Sequence, residues 1–393
     1  MTDAVQRAER VAERIAARAA RYDLAAEFPV EDLQDLRAEG LLGLMVPTAL
    51  GGMGAGFEEY VRVAVALARG GGSTALVFNM HASVTGGLAS IPEQMAVALG
   101  VGESFFATRE RVLRAAARGS VYGVAISEPD VGSRLSALRS TYEPEGDGFR
   151  IQGVKSTVSG AGHLDAYLVA ARREGTGSGD PVLSYFLVPQ NEGLSVERTW
   201  DPLGMRATAS NALTLDTHVP AEALLGGVEG LVLPLAHAMP QWLVASYAAV
   251  YVGLAQAAVD EAVAYLRGRT VAGRRGGLAH LGSVRARVGR AEADALAARL
   301  TLEHAARLVE LQPGDPETNR WVFRAKLLAG DAAMRAAASL AEACGLGALQ
   351  RGSPLERIFR DARSGSIMPP PSDVSAEYLG AAALGVEDEV RPW

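Results

Sequence analysis

The chain has 393 residues, 49% hydrophobic and 21% charged, the balance of an ordinary soluble globular protein with ample core. Its formal net charge of −7 excludes nucleic acid as the main partner, because phosphate binding needs a basic face. Cys344 is the single cysteine, which excludes an intramolecular disulfide and a thiol metal site, and no metal is expected.

In chain order, residues 2–45 are rich in Ala, Glu and Arg with apolar residues at helical spacing, and predict two amphipathic helices. The start, M-T-D-A-V-Q-R-A-E-R-V, is charged and helical rather than a signal peptide. A Pro/Gly loop over 46–57 ends these helices, and another helix is predicted over 58–69. The stretch from Ser73 to Leu88 is almost uncharged, as a fully buried helix would be. Glu103 to Arg118 closes the helical part.

From about Tyr122 the texture changes. The runs Y-G-V-A-I-S, G-F-R-I-Q-G, A-Y-L-V-A-A, S-Y-F-L-V-P and N-A-L-T-L-D-T predict short strands broken by Gly, Pro and Asp. Long Ala/Leu/Arg helices return from Gly230 to Ala362, interrupted at Q-P-G-D-P, and the tail is Pro-rich and then briefly helical. The predicted organisation is an N-terminal helical domain over 1–120, a central β-domain over 121–227 and a C-terminal helical bundle over 228–393. This α–β–α order is not a βαβ alternation and carries no G-x-G-x-x-G turn, so a Rossmann site is not expected. No apolar run reaches the length of a membrane span, and a cytoplasmic location is the expectation. The arginine-dense patch from Arg267 to Arg290 lacks aromatic residues that could stack bases. It reads as a solvated face or as a contact for an anionic cofactor.

Five ordered segments carry a family resemblance: S-E-P-D-V-G-S from Ser127, G-D-G-F-R-I-Q-G-V-K ending at Lys155, L-G-M-R from Leu203 with the following L-T-L-D-T-H-V-P, G-L-A-Q-A-A-V-D-E-A from Gly253, and L-E-R-I-F-R-D-A from Leu355. In these segments the chain resembles the acyl-CoA dehydrogenases, α+β flavoproteins with an N-terminal all-α domain, a central β-barrel- or sandwich-like domain and a C-terminal four-helix bundle. The resemblance implies FAD held by Val124, Ala125, Ile126, Ser127, Ser133, Thr157, Val158 and Ser159, with Arg269 reaching the cofactor of a neighbouring subunit. It implies a homodimer or homotetramer, an acyl thioester carried on coenzyme A or an acyl-carrier protein, and an electron-transfer flavoprotein or flavin reductase as redox partner. Ser133, Trp242 and Tyr247 are the expected substrate contacts.

The resemblance stops at the base. The family's glutamate, which takes the substrate's α-proton, falls by spacing on Pro369, and the alternative position of a smaller group falls on Leu243. Neither accepts a proton, and losing a positioned base costs such a step about 10²–10⁴-fold. α,β-Dehydrogenation of the thioester is the leading expectation from the family, with His81, Asp373 or Glu377 as replacement base. A flavin monooxygenase or oxidase, a related elimination, and a non-catalytic paralogue are the alternatives. Ala272 also replaces an aromatic usual on the adenine side of the flavin.

Overall fold

The computed structural model describes residues 2–176, 181–270 and 277–386. Six α-helices come first: α1 (Asp3–Ala25), α2 (Val30–Ala38), α3 (Phe57–Gly70), α4 (Gly72–Ser90), α5 (Glu93–Ala98) and α6 (Glu103–Ala117). Five of them follow the sequence pattern directly. The short α5 has too little periodicity to be read in advance. The Thr2 hydroxyl caps α1 by accepting from the Val5 N–H. Helix α4 is buried on nearly every side, as its uncharged sequence predicts.

The central sheet has seven strands: β1 (Tyr122–Ala125), β2 (Thr141–Glu145), β3 (Gly148–Val158), β4 (Ala166–Arg173), β5 (Leu183–Pro189), β6 (Leu194–Glu197) and β7 (Asn211–Pro220). Its order is β1-β4-β2-β3-β7-β6, with β5 also pairing β4. Strands β2 and β6 were not legible beforehand. T-Y-E-P-E carries two acids and a proline, and it becomes a strand by pairing antiparallel to β3 on one side and, at Thr141 and Tyr142, parallel to β4 on the other.

The C-terminal part comprises α7 (Val232–Ala238), α8 (Ala245–Arg267), α9 (Gly282–Leu311), α10 (Pro316–Cys344), α11 (Pro354–Ala362) and α12 (Ser372–Leu384). Q-P-G-D-P separates α9 from α10: Asp315 caps α10 by accepting from the Glu317 and Thr318 amides, and Pro316 sits at its first position. Helix α8 is the one described helix long and apolar enough to cross a membrane. Its apolar residues are spent on packing, with fourteen of its residues buried in the core between helices. Gly253 lets α8 meet α3 closely, since a Cβ there would fall 2.5 Å from that of Ala68 and 2.6 Å from the Val65 carbonyl oxygen.

Two buried ionic groups tie these parts together. Lys155 on β3, fully buried, donates to Glu128 Oε1 at 2.6 Å and to the Ala170 carbonyl at 2.6 Å. Glu128 also accepts from the amides of Arg139 at 2.6 Å and Ser140 at 3.0 Å, so the loop after β1 is anchored at both ends. Burial opposes the charge on Glu128, but Lys155 and these amides hold its carboxyl below the usual range. Farther along, Arg360 on α11 makes two bonds to Asp23 of α1, at 2.6 and 3.0 Å, and donates to the Leu203 carbonyl. Its neighbour Asp361 accepts from the Met205 amide at 2.6 Å, and burial pushes its carboxyl up to about 6.

Lys155→Met should leave Glu128 buried without its partner and destabilise the protein by about 3–5 kcal/mol. The double change Glu128→Gln with Lys155→Met should cost less than Lys155→Met alone, as urea midpoints would record. Asp361 makes a second expectation. Because its folded pKa lies above its unfolded value, the folded state binds the proton more tightly, and this group's contribution to stability falls as pH rises from about 4 to 6. Asp361→Asn keeps the acceptor for Met205 and should gain on the wild type by up to about 3 kcal/mol across that window. Parallel pH dependences of the two proteins would contradict the assignment.

Candidate functional site

A cavity of about 1160 Å³ opens where the sheet meets α4, α7, α8 and the segment between α11 and α12. Its β-domain wall is made at the ends of β1 and β3. Alternation along β1 sends Val124 and then Ile126 toward the cavity, while Ala125 between them is fully buried and does not line it. On β3 the pairing with β7 is interrupted between Lys155 and Val158. Ser156 and Thr157 leave the ladder there, Thr157 in the left-handed region at φ 51°, and both face the cavity together with Ser127. The Ser156 amide donates to the Ser127 carbonyl at 2.8 Å, locking the two strand ends together.

The floor is the segment Met205–Ser210. The Met205 carbonyl accepts from Trp200 Nε1 at 3.1 Å and from the Thr208 hydroxyl at 2.9 Å. Thr208 meets Ser210 at 2.6 Å, and Ser210 meets Ser159 at 3.0 Å. Both serines line the cavity. An apolar bay is formed by Leu76, Met80, Leu243 and Tyr247, whose phenol donates weakly to Met80 Sδ at 3.9 Å. Burial pushes that phenol up to about 12, so it stays protonated at neutral pH.

The opposite wall is the segment after α11. Ser364, Ile367, Met368 and Pro369 to Pro371 all face the cavity. This backbone rests on Lys326 of α10, which is fully buried and donates to the carbonyls of Gly365 (2.9 Å), Met368 (3.0 Å) and Pro370 (3.2 Å). Three acceptors match the three N–H groups of an ammonium. Burial pulls that ammonium down to about 7, with Asp331 pulling the other way. Ser372, at the start of α12, donates to Asp331 at 3.0 Å and fastens the same wall a second time. Sequence reasoning missed Lys326. The signal was a lone lysine inside the otherwise apolar run A-K-L-L-A-G.

The expected site residues divide by place. Val124, Ile126, Ser127, Ser133, Thr157, Ser159 and Tyr247 converge on the cavity, and so do Pro369 and Leu243. Ala125 and Val158 point their side chains into the core instead, leaving only their backbone to meet a ligand. Trp242 does not line the cavity. Its indole lies over Gly86, where a Cβ would fall 2.1 Å from the ring, and meets Phe57 edge-on at 5.0 Å. Arg269 also lies outside it, its guanidinium 4.5 Å above the Tyr265 ring. Ala272 lies outside the described residues.

His81 is not placed to act as a base. It is 1% exposed, its Nδ1 accepts from the Tyr122 amide at 3.2 Å, and its Nε2 therefore donates to the Leu42 carbonyl at 2.7 Å. Burial drives its pKa down to about 4. Helix α4 is close to the cavity, but its facing side chains are Leu76 and Met80, while His81 turns toward β1. Of the other two alternatives, Glu377 lines the cavity at an exposed position on α12, and Asp373 does not line it. Arg134 and His237 are further exposed lining residues.

The donor set fits a flavin ring. Hydroxyls of Ser127, Ser156, Thr157 and Ser159, with backbone released from the β3 ladder, offer the polar partners that ring nitrogens and oxygens need. Val124 and Ile126 offer an apolar surface beside them.

Comparison with known proteins agrees with this geometry. The chain matches the acyl-CoA dehydrogenase N-terminal domain over residues 3–91, the middle domain over 123–218 and the C-terminal domain over 244–384. It is 31% identical, over 95% of both chains, to YdbM of Bacillus subtilis (strain 168), which is named as an acyl-CoA dehydrogenase. It is 32% identical to L-evernosamine nitrososynthase of a Micromonospora species, over 95% of this chain and 88% of that one. Among solved structures, KijD3 in complex with FMN and an amino-keto sugar nucleotide superposes with a TM-score of 0.83, at 27% identity over 98% of this chain and 93% of that one. TdsC of Paenibacillus sp. A11-2 with FMN and indole also reaches 0.83, at 25% identity over 97% of both chains. Three consecutive domain matches and relatives above 30% identity over nearly the whole length place this chain in the acyl-CoA dehydrogenase family.

Proposed function

We propose that this protein is a flavin-dependent monooxygenase built on the acyl-CoA dehydrogenase fold. One observation carries the reading: Pro369 and Leu243, the two positions where the family's dehydrogenases keep their base, both face the cavity and offer only hydrocarbon. Abstraction of an α-proton needs an acceptor within hydrogen-bond reach of the substrate. Among the described lining residues the single carboxylate is Glu377, exposed on α12. The similarity to KijD3 and to the nitrososynthase supports the same choice. TdsC, a dibenzothiophene monooxygenase by name, shares the fold.

A bound flavin would supply the two-electron chemistry and the activation of dioxygen. The chain's own residues would do the rest. Val124, Ile126, Ser127, Thr157 and Ser159 would hold the ring, and Ser133 would contact the ligand beside it. Leu76, Met80, Leu243 and Tyr247 would seat an apolar substrate and exclude water, while the wall over Lys326 closes the site from the other side. A reaction with oxygen asks for water exclusion more than for a base, which suits a proline-lined wall. In this reading the flavin is delivered or reduced by a separate flavin reductase. The sequence resemblance favours FAD and the solved relatives carry FMN, so chromatography of the released cofactor decides between them. Sharing of the cofactor between subunits through Arg269, in a homodimer or homotetramer, belongs to the same proposal, as do the domain limits 1–120, 121–227 and 228–393.

The purified protein should be yellow or become so with added flavin. Under anaerobic conditions short-, medium- and long-chain acyl-CoA thioesters should leave the flavin oxidised. Bleaching by any of them at a turnover rate would establish the dehydrogenase reading instead, with Glu377→Gln then testing the base. A protein that takes up neither FAD nor FMN sinks both.

A further inference from the structure

Ser159, Ser210 and Thr208 form a chain of three hydroxyls with three contacts: Ser159 to Ser210 at 3.0 Å, Ser210 to Thr208 at 2.6 Å, and Thr208 to the Met205 carbonyl at 2.9 Å. All three residues are buried. Three hydroxyls own three hydrogens, and a carbonyl oxygen only accepts. The last contact therefore takes the Thr208 hydrogen. Ser210 must then give its hydrogen to Thr208, and Ser159 must give its hydrogen to Ser210. One placement alone makes all three bonds, and it turns the lone pairs of Ser159, not its hydrogen, toward the cavity that this residue lines. For Ser159 to donate outward, one bond in the chain has to be given up. At the Met205 end the carbonyl also accepts from Trp200 Nε1, so turning the Thr208 hydroxyl away costs that one hydrogen bond.

We infer that Thr208 and Ser210 are positioning residues that hold Ser159 as a hydrogen-bond acceptor, so that the site favours a bound flavin in its reduced, N–H-bearing form at the edge facing Ser159. This inference rests on the flavin reading. An oxidised ring presents bare nitrogens where the reduced ring carries N–H groups. A fixed acceptor opposes the first and welcomes the second. Losing one hydrogen bond to accommodate the oxidised ring shifts the ratio of the two forms by about two- to tenfold. On a two-electron couple that corresponds to about 10–30 mV of midpoint potential.

The test is the midpoint potential of the flavin-loaded protein, with flavin affinity measured beside it. Ser210→Ala removes the acceptor and frees the Ser159 hydrogen. Thr208→Val keeps the shape of Thr208 but lets Ser210 turn toward Ser159, with the same result. Both should lower the potential by about 10–30 mV. Thr208→Ser keeps the hydroxyl chain and should retain the wild-type value, which a loss of packing alone would not explain. Either broken variant suffices if the other fails to fold. An unchanged or higher potential in a flavin-loaded broken variant overturns the inference while leaving the flavin reading intact. A wild-type protein that takes up no flavin overturns the flavin reading, and the inference with it.

Discussion

Lys155 and Glu128 meet without solvent between β3 and the loop that follows β1, and the cavity wall depends on that meeting. Strands β1 and β3 are not ladder partners; β1 pairs β4, and β3 pairs β2 and β7. Their ends are brought side by side by the ammonium of one and the carboxylate that extends the other, with the Ser156–Ser127 backbone bond beside them. An isolated ammonium or carboxylate would be costly at this depth. The pair persists because each charge is also hydrogen-bonded, Lys155 to the Ala170 carbonyl and Glu128 to two amides. The result is a rigid polar wall in which released backbone and four hydroxyls are presented together.

The facing wall solves a different problem with the same device. Residues 364–371 have no regular ladder to hold them, and three consecutive prolines donate no backbone hydrogen bonds. Their carbonyls still need partners, and a single buried lysine supplies them for Gly365, Met368 and Pro370. The two walls differ in chemical character. One offers hydroxyls, the other hydrocarbon and a buried cation set behind the backbone. A small molecule between them would meet clustered hydroxyls on the β-domain side and a largely apolar surface on the other. In the monooxygenase reading proposed above, that asymmetry is what would set this chain apart from a base-catalysed dehydrogenase of the same fold.

Much of the fold was legible because its signals are local. Helix α4 is uncharged along its length, and α10 announces its start with a proline after an aspartate cap. The strands β3, β4, β5 and β7 carry apolar and β-branched runs, whereas T-Y-E-P-E becomes a strand by pairing between β3 and β4, and L-S-V-E by pairing along β7. The site was legible to the extent that it lies on strands with known alternation. Val124 and Ile126 face the cavity for that reason. Side chains on helices were harder. His81 follows Met80 directly, and a rotation of one residue, about 100°, separates a cavity-facing thioether from a core imidazole held at both nitrogens. Trp242 sits beside Leu243, and Gly86 gives the indole a place in the core that no local pattern reveals.

By itself the sequence determined the order of helices and strands, the family, and the absence of a carboxylate from 364–372, since these depend on residue types and their spacing along the chain. It could also point to Pro369 and Leu243 as the places to look. Only the tertiary structure decided that these two residues, about 126 positions apart, face one cavity. It alone placed Lys326 behind the proline wall and gave the three hydroxyls of Ser159, Ser210 and Thr208 a common direction. Such contacts join segments remote in the chain. Their energies come from burial and hydrogen-bond geometry, which exist only once the chain has closed on itself.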